Sequence, residues 1–255
     1  MTEVLQIGNR TIKASELTSL LASYQMLPQF LRELILDEAV ELIECTPDEV
    51  AQTQRQFYAE HQFKNEADVR AWMAYYHLSP AQLERIVTRR LKIEKFKQAT
   101  WGKMLEPYFF QCKTKLDKVI YSLLRTQDAG VAQELYFRIL AKEQSFTELA
   151  REYSQGPEAQ TSGLVGPVEL SALHPGIVQF LSSNQPGKLL PPTRIGEWFV
   201  IVRLEKYLSA QLDEAMKSRL LNELFENWLT EQLQKLRNEK EQLVVSPTPY
   251  TNFPT

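Results

Sequence analysis

Few residues of this 255-residue chain can do covalent or metal chemistry, and those few lie far apart. The histidines are His61, His77 and His174; the cysteines are Cys45 and Cys112. No Cys-x-x-Cys pair occurs, so neither a zinc site nor a disulfide framework is expected. No cofactor is expected either. The only candidate for a phosphate cradle is Lys188 after Pro186-Gly187, and it lacks the spacing and the following helix of GxxxxGK[ST]. His174 stands before Pro175 and reads as a helix-capping side chain or as an imidazole base. What remains is the chemistry of binding. The run Trp72-Met73-Ala74-Tyr75-Tyr76 is rich in methionine and aromatics, which suit adaptable apolar recognition. The same run, with His61, His77 and Phe63 near it, also reads as the packed side of a helix.

The composition is that of a globular protein, 44% apolar and 24% charged, with a formal net charge of -3. Such a balance gives no basic field for nucleic acid. The local cluster Arg89-Arg90 with Lys92 lies beside Glu84 and Glu94 and reads as a solvated helix face. No apolar stretch approaches the roughly 20 residues of a membrane span. Met1-Thr2-Glu3-Val4-Leu5-Gln6 has neither a positive n-region nor an apolar h-region, so a cytoplasmic location is expected.

The elements that would position these residues fall into three stretches. Val4-Leu5-Gln6-Ile7 followed by Gly8-Asn9 reads as a short strand and turn. Helices follow almost without interruption to residue 116. Their starts are marked by Ser15, by Pro28, by Thr46-Pro47-Asp48-Glu49, by Asn65 and by Ser79-Pro80, the last opening a long helix to about Leu105. The pattern changes at Val119-Ile120-Tyr121-Ser122-Leu123-Leu124, a buried strand. Helices over about 129–142 and 146–153 come next, then a turn-rich stretch, a short helix after His174-Pro175, and a second strand at Trp198-Phe199-Val200-Ile201-Val202. Finally Leu212, Met216, Leu220, Leu221, Leu224, Trp228, Leu229 and Leu233 form a helical stripe too wide to be buried by one helix alone. The economical solution packs it back on the N-terminal helices. The expected fold is therefore helix-rich α+β. A discontinuous helical domain, residues 1–116 plus 210–243, holds an inserted domain over 117–209, an antiparallel sheet with flanking helices, and residues 244–255 form a disordered tail.

Residues 119–207 resemble the parvulin family of peptidyl-prolyl isomerases. The resemblance is carried by phrases in one order. Tyr121-Ser122-Leu123-Leu124 stands for the family's His-Ile-Leu-Val, and Phe146-Thr147-Glu148-Leu149-Ala150-Arg151-Glu152-Tyr153-Ser154 for its Phe-x-x-Leu-Ala-x-x-Tyr-Ser. Gly163-Leu164-Val165-Gly166 stands for Gly-Asp-Leu-Gly, and Pro186-Gly187-Lys188-Leu189 with Pro192 for the Pro-Gly-Glu-Val stretch. Val200-Ile201-Val202-Arg203-Leu204-Glu205 forms the last strand. The helical flanks, with Ile7-Gly8-Asn9-Arg10-Thr11-Ile12, are similar to those of SurA/PrsA-like foldases.

The resemblance implies a prolyl-isomerase fold and also says what has changed in it. An isomerase must bind the twisted amide better than either planar form. The family does so with two buried histidines, an Asp or Cys, and an apolar proline pocket. Its histidine positions fall here on Tyr121 and Val200, its Asp/Cys position on Gly156, and its Ser/Thr positions near the last strand on Ile195 and Glu197. The pocket positions fall on Val165, Leu173 and Ile177. The implied substrate-binding set is thus Tyr121, Val165, Leu173, Ile177 and Val200, with no catalytic residue assigned, no metal and the polar network gone. The expected function is an isomerase-family foldase or chaperone that binds unfolded or proline-containing polypeptide and catalyses weakly or not at all. The alternative is a non-catalytic holdase or adaptor with a degenerate domain, serving a peptide export system. On that alternative Val165, Leu173 and Ile177 are ordinary core.

Overall fold

The computed structural model describes residues 3–7 and 10–245, and these fall into two compact units. One unit is discontinuous, residues 1–105 with 217–255; the other is residues 106–216. The architecture is helix-rich α+β, with the sheet-bearing unit inserted into the helical one. The expectation of a disordered tail over 244–255 falls, beyond Val245, outside the described residues, as does the Gly8-Asn9 turn.

The helical unit opens with a two-stranded antiparallel ribbon, β1 (Glu3–Ile7) and β2 (Arg10–Lys13). Five helices follow: α1 (Ala14–Ser23), α2 (Leu27–Val40), α3 (Pro47–Glu60), α4 (Glu66–Tyr75) and α5 (Pro80–Trp101). Their starts obey local chemistry. The Thr46 Oγ1 accepts from the Glu49 N–H at 3.3 Å while the Thr46 N–H donates to the Glu49 carboxylate at 2.7 Å, a reciprocal cap that Ser79 and Gln82 repeat. The long helix after Pro80 is shorter than its sequence pattern. It stops at Trp101, and a 3-10 turn (Gly102–Met104) re-aims the chain into α6 (Leu105–Leu116).

The last helix, α10 (Glu214–Val245), packs on α5. Leu221, Phe225 and Leu229, four residues apart, are buried with Leu220. Trp101 meets Phe225, and Phe96 meets Trp228. Among these rings lies Lys97, whose Nζ donates to Glu94 and to the Asn222 side chain, both at 2.7 Å. Arg32 of α2 adds a bidentate pair to Glu226.

The second unit carries a four-stranded antiparallel sheet of order β4-β3-β6-β5. The strands are β3 (Lys118–Thr126), β4 (Leu164–Glu169), β5 (Leu189–Ile195) and β6 (Trp198–Leu208). Helices α7 (Ala129–Leu140) and α8 (Phe146–Tyr153) cover one face, and α9 (Pro175–Ser183) covers the other. Alternation along the strands sorts the side chains. Leu124 and Ile201 pack with Leu135, Phe146, Leu149 and Ala150 under α7 and α8. Val119, Tyr121, Leu123, Val200, Val202 and Leu204 pack with Leu170, Ile177 and Leu181 on the α9 side. At the end where the chain enters and leaves the sheet, Asp117 is buried. It accepts from the Tyr207 hydroxyl at 2.6 Å, the Ala210 N–H at 2.7 Å and the Lys113 ammonium at 2.9 Å.

Candidate groove on the sheet face under helix α9

The sheet brings the residues singled out from sequence onto one face. Tyr121 of β3 faces Leu204 of β6 and Val165 of β4 in register, and Val200 of β6 faces Arg125 of β3. Tyr121, Val200 and Ile177 are buried members of a single apolar cluster; Val165 and Leu173 lie half-buried against it, with Ile195 and Trp198. Tyr121 and Val200 are thus at the buried centre of this face, and Val165, Leu173, Ile195 and Trp198 lie at its half-buried margin. Glu197 is exposed.

Tyr121 is only 4% exposed. Its hydroxyl has no hydrogen-bond partner among the described residues, yet no fully buried side-chain oxygen there lacks one. The hydroxyl thus keeps a contact with solvent. Burial pushes the Tyr121 phenol above its usual range, the Glu158 charge adds to this, and Arg125 opposes it, so the hydroxyl stays a protonated donor at neutral pH.

Gly156 explains itself through what surrounds it. A Cβ there would sit 1.9 Å from Arg125 Nε and 2.3 Å from a Glu158 oxygen. The space that an Asp or Cys side chain would need is filled by a salt bridge. Arg125 donates from Nε to Glu158 Oε1 at 3.0 Å and from Nη2 to Oε2 at 2.7 Å. The Ser154 hydroxyl donates to Glu158 Oε1 at 2.6 Å and accepts the Arg125 backbone N–H at 3.1 Å. The Glu158 side chain is 3% exposed and that of Arg125 27%. The guanidinium also lies over the Trp198 ring, 5.6 Å from its centroid. The family's polar positions hold Tyr121, Val200 and Gly156, and beside Gly156 lies a different network, Arg125–Glu158–Ser154. No motif announces it, because Arg125 and Glu158 are far apart in sequence. The only hint is that Arg125 shares strand parity with Tyr121 and Leu123.

The other candidates fall elsewhere. His174 is an exposed N-cap of α9, its Nδ1 accepting from the Gly176 N–H at 3.2 Å. In the helical unit His61 stacks on Phe57, and Trp72 packs with Phe57, Phe63 and Tyr76. Tyr75 is 77% exposed and Tyr76 55%. Met26, Phe30 and Leu34, four residues apart at the start of and along α2, expose an apolar row that the sequence reading did not single out. Among the described residues no group of His, Cys, Asp or Glu could hold a metal ion, and no helix is long and apolar enough to cross a membrane.

Residues 115–206 match the family model of the rotamase, or PPIC-type PPIase, domain. No curated protein matches the chain. Among solved structures the chain is similar to the peptidylprolyl isomerase PrsA from Bacillus cereus, at 16% identity and TM-score 0.48, covering 97% of this chain and 94% of that one. It is similar to a protein described among the SurA-like chaperones of Campylobacter jejuni, at 14% identity and TM-score 0.37, covering 98% and 100%. The parvulin domain of PpiD from E. coli matches at 24% identity and TM-score 0.32, covering 39% of this chain and 97% of that domain.

Proposed function

We infer that this chain, which carries a parvulin-type domain over residues 115–206, is an ATP-independent foldase or holdase that binds extended, proline-containing polypeptide and isomerises it poorly. One observation carries the reading. The two histidine positions hold Tyr121 and Val200, both buried in an apolar face, while the rim residues Val165, Leu173, Ile195 and Trp198 stay half-open beside them. An apolar floor with an open rim can take up a proline ring. Without the family's imidazoles and its Asp or Cys it has little that binds the twisted amide better than the planar one. The exposed Met26, Phe30 and Leu34 row and the Tyr75-Tyr76 pair offer further apolar contact for client chain. A second reading, a domain with a filled groove acting as a non-catalytic adaptor, draws on the burial of Tyr121, Val200 and Ile177 alone.

Two measurements on the full chain test this. A stoichiometric amount should suppress aggregation of a denatured model protein without nucleotide. In a protease-coupled assay kcat/KM should lie about 100-fold or more below that of a parvulin with both histidines, the usual scale for losing preorganised polar groups. Ordinary turnover would overturn the weak-catalysis part, and no suppression would leave the adaptor reading.

A further inference from the structure

The Arg125–Glu158 pair is an odd thing to build as a mere brace. Replacing a buried ion pair by apolar residues is commonly neutral or stabilising, and any Cβ at position 156 would push the pair aside. Its placement is specific. Arg125 sits directly across from Val200, on the strand face of Tyr121 and Leu123, with its guanidinium over Trp198 at the groove rim. Nε and Nη2 are committed to Glu158, whereas Nη1 has no partner among the described residues and the side chain remains 27% exposed. We propose that Arg125 is a peptide-recognition group, donating its outer guanidinium N–H to the carbonyl oxygen that precedes a bound proline; this rests on the groove reading above.

The chemistry selects the acceptor. A guanidinium held rigidly by a bidentate carboxylate and an indole face loses little side-chain entropy on making another hydrogen bond. Glu158 neutralises it, so the outer edge presents donors without net positive charge. Such an edge suits a backbone carbonyl, and it should discriminate little between acidic and basic residues before the proline. Glu158 acts here as a positioning residue: it aims the guanidinium and cancels its field.

The test titrates the methyl-labelled full chain with blocked Ala-Xaa-Pro-Ala peptides, Xaa being Ala, Glu or Lys, and follows the Val165, Leu173, Ile177 and Val200 methyl resonances. The wild type should bind all three within about twofold. The double variant Arg125→Met/Glu158→Leu removes both charges, leaves no buried ion unpaired and should keep its melting temperature. It should lose about tenfold in affinity, the scale of one or two hydrogen bonds. Glu158→Gln uncovers the charge and should favour Glu-Pro over Lys-Pro peptides by roughly tenfold, a change that a bracing role would not produce. Equal affinity of wild type and double variant would overturn this inference alone. Absence of any methyl shift in the wild type would overturn the groove reading and this inference with it.

Discussion

The two faces of the inserted sheet are built from the same kind of residues and end in different states. On the α7/α8 face Leu124, Leu149, Ala150 and Ile201 are wholly buried, Phe146 is nearly so, and only Tyr136, Ile139, Tyr153 and Leu189 lie half-buried against them. On the α9 face the buried centre, which includes Tyr121, Val200 and Val202, has nine half-buried residues against it, among them Val165, Leu173, Ile195 and Trp198. One short helix covers this face where two cover the other. The difference teaches that hydrophobic alternation specifies which residues face inward, whereas coverage decides whether a face becomes core or groove.

The largest effect that could break this contrast is a truncation on each side. Phe146→Ala should cost about 3–5 kcal/mol of unfolding free energy, and Leu173→Ala about 1 kcal/mol, because Leu173 already meets solvent. Equal midpoint shifts in urea would show that the two faces are covered alike. Next in size, Gly156→Asp would set the α9 side against itself. The new side chain collides with Arg125, so the variant should lose about 1–3 kcal/mol and gain no isomerase activity. The loss should shrink in the Arg125→Met/Glu158→Leu background, as thermal unfolding of the four proteins would report.

The smallest effect sharpens the role of Tyr207, which packs against the α9-side cluster while bonding Asp117. Burial and then the Asp117 hydrogen bond push the Tyr207 phenol up to about 12. A raised folded value means stability fully present below the unfolded value of about 10 and lost as pH climbs through about 12. Burial works to raise the Asp117 carboxyl, but hydrogen bonds from Tyr207, the Ala210 N–H and Lys113 outweigh it, leaving the group below its usual range. A lowered folded value means stability present above about 4 and lost as pH falls through the folded value. Tyr207→Phe should remove the alkaline loss, on the order of 1–2 kcal/mol, from a pH series of unfolding midpoints. Asp117→Asn should remove the acid one.

The fold was largely legible because its signals are local. Thr46, Asn65 and Ser79 each cap a helix, and the Phe146–Ser154 phrase falls where α8 lies and ends. What could not be read was non-local. Strand β4 hides in a glycine- and proline-rich stretch whose only strand signal is its pairing with β3. Phe225, absent from the apolar stripe read in the sequence, is buried because α10 turns it onto Trp101. At the groove, the sequence placed Tyr121, Val200, Val165, Leu173 and Ile177 at the family's positions. It could not supply the salt bridge over Gly156, since a buried charge pair depends on a neighbour that only the fold provides.

The clamp at Asp117 has one more consequence, for the physics of the chain. It ties the segment entering the sheet, at Lys113 and Asp117, to the segment leaving it, at Tyr207 and Ala210. To the helical unit, whose α5 and α10 must find each other across residues 106–216, an unfolded insert is a long floppy loop. A folded one is a short link with its ends already together. Shortening the effective loop roughly tenfold lowers the entropy of closure by about 2 kcal/mol. A few hydrogen bonds around one carboxylate thus let the insert lighten, from within its own boundaries, the assembly of the helices that interrupt their sequence to contain it.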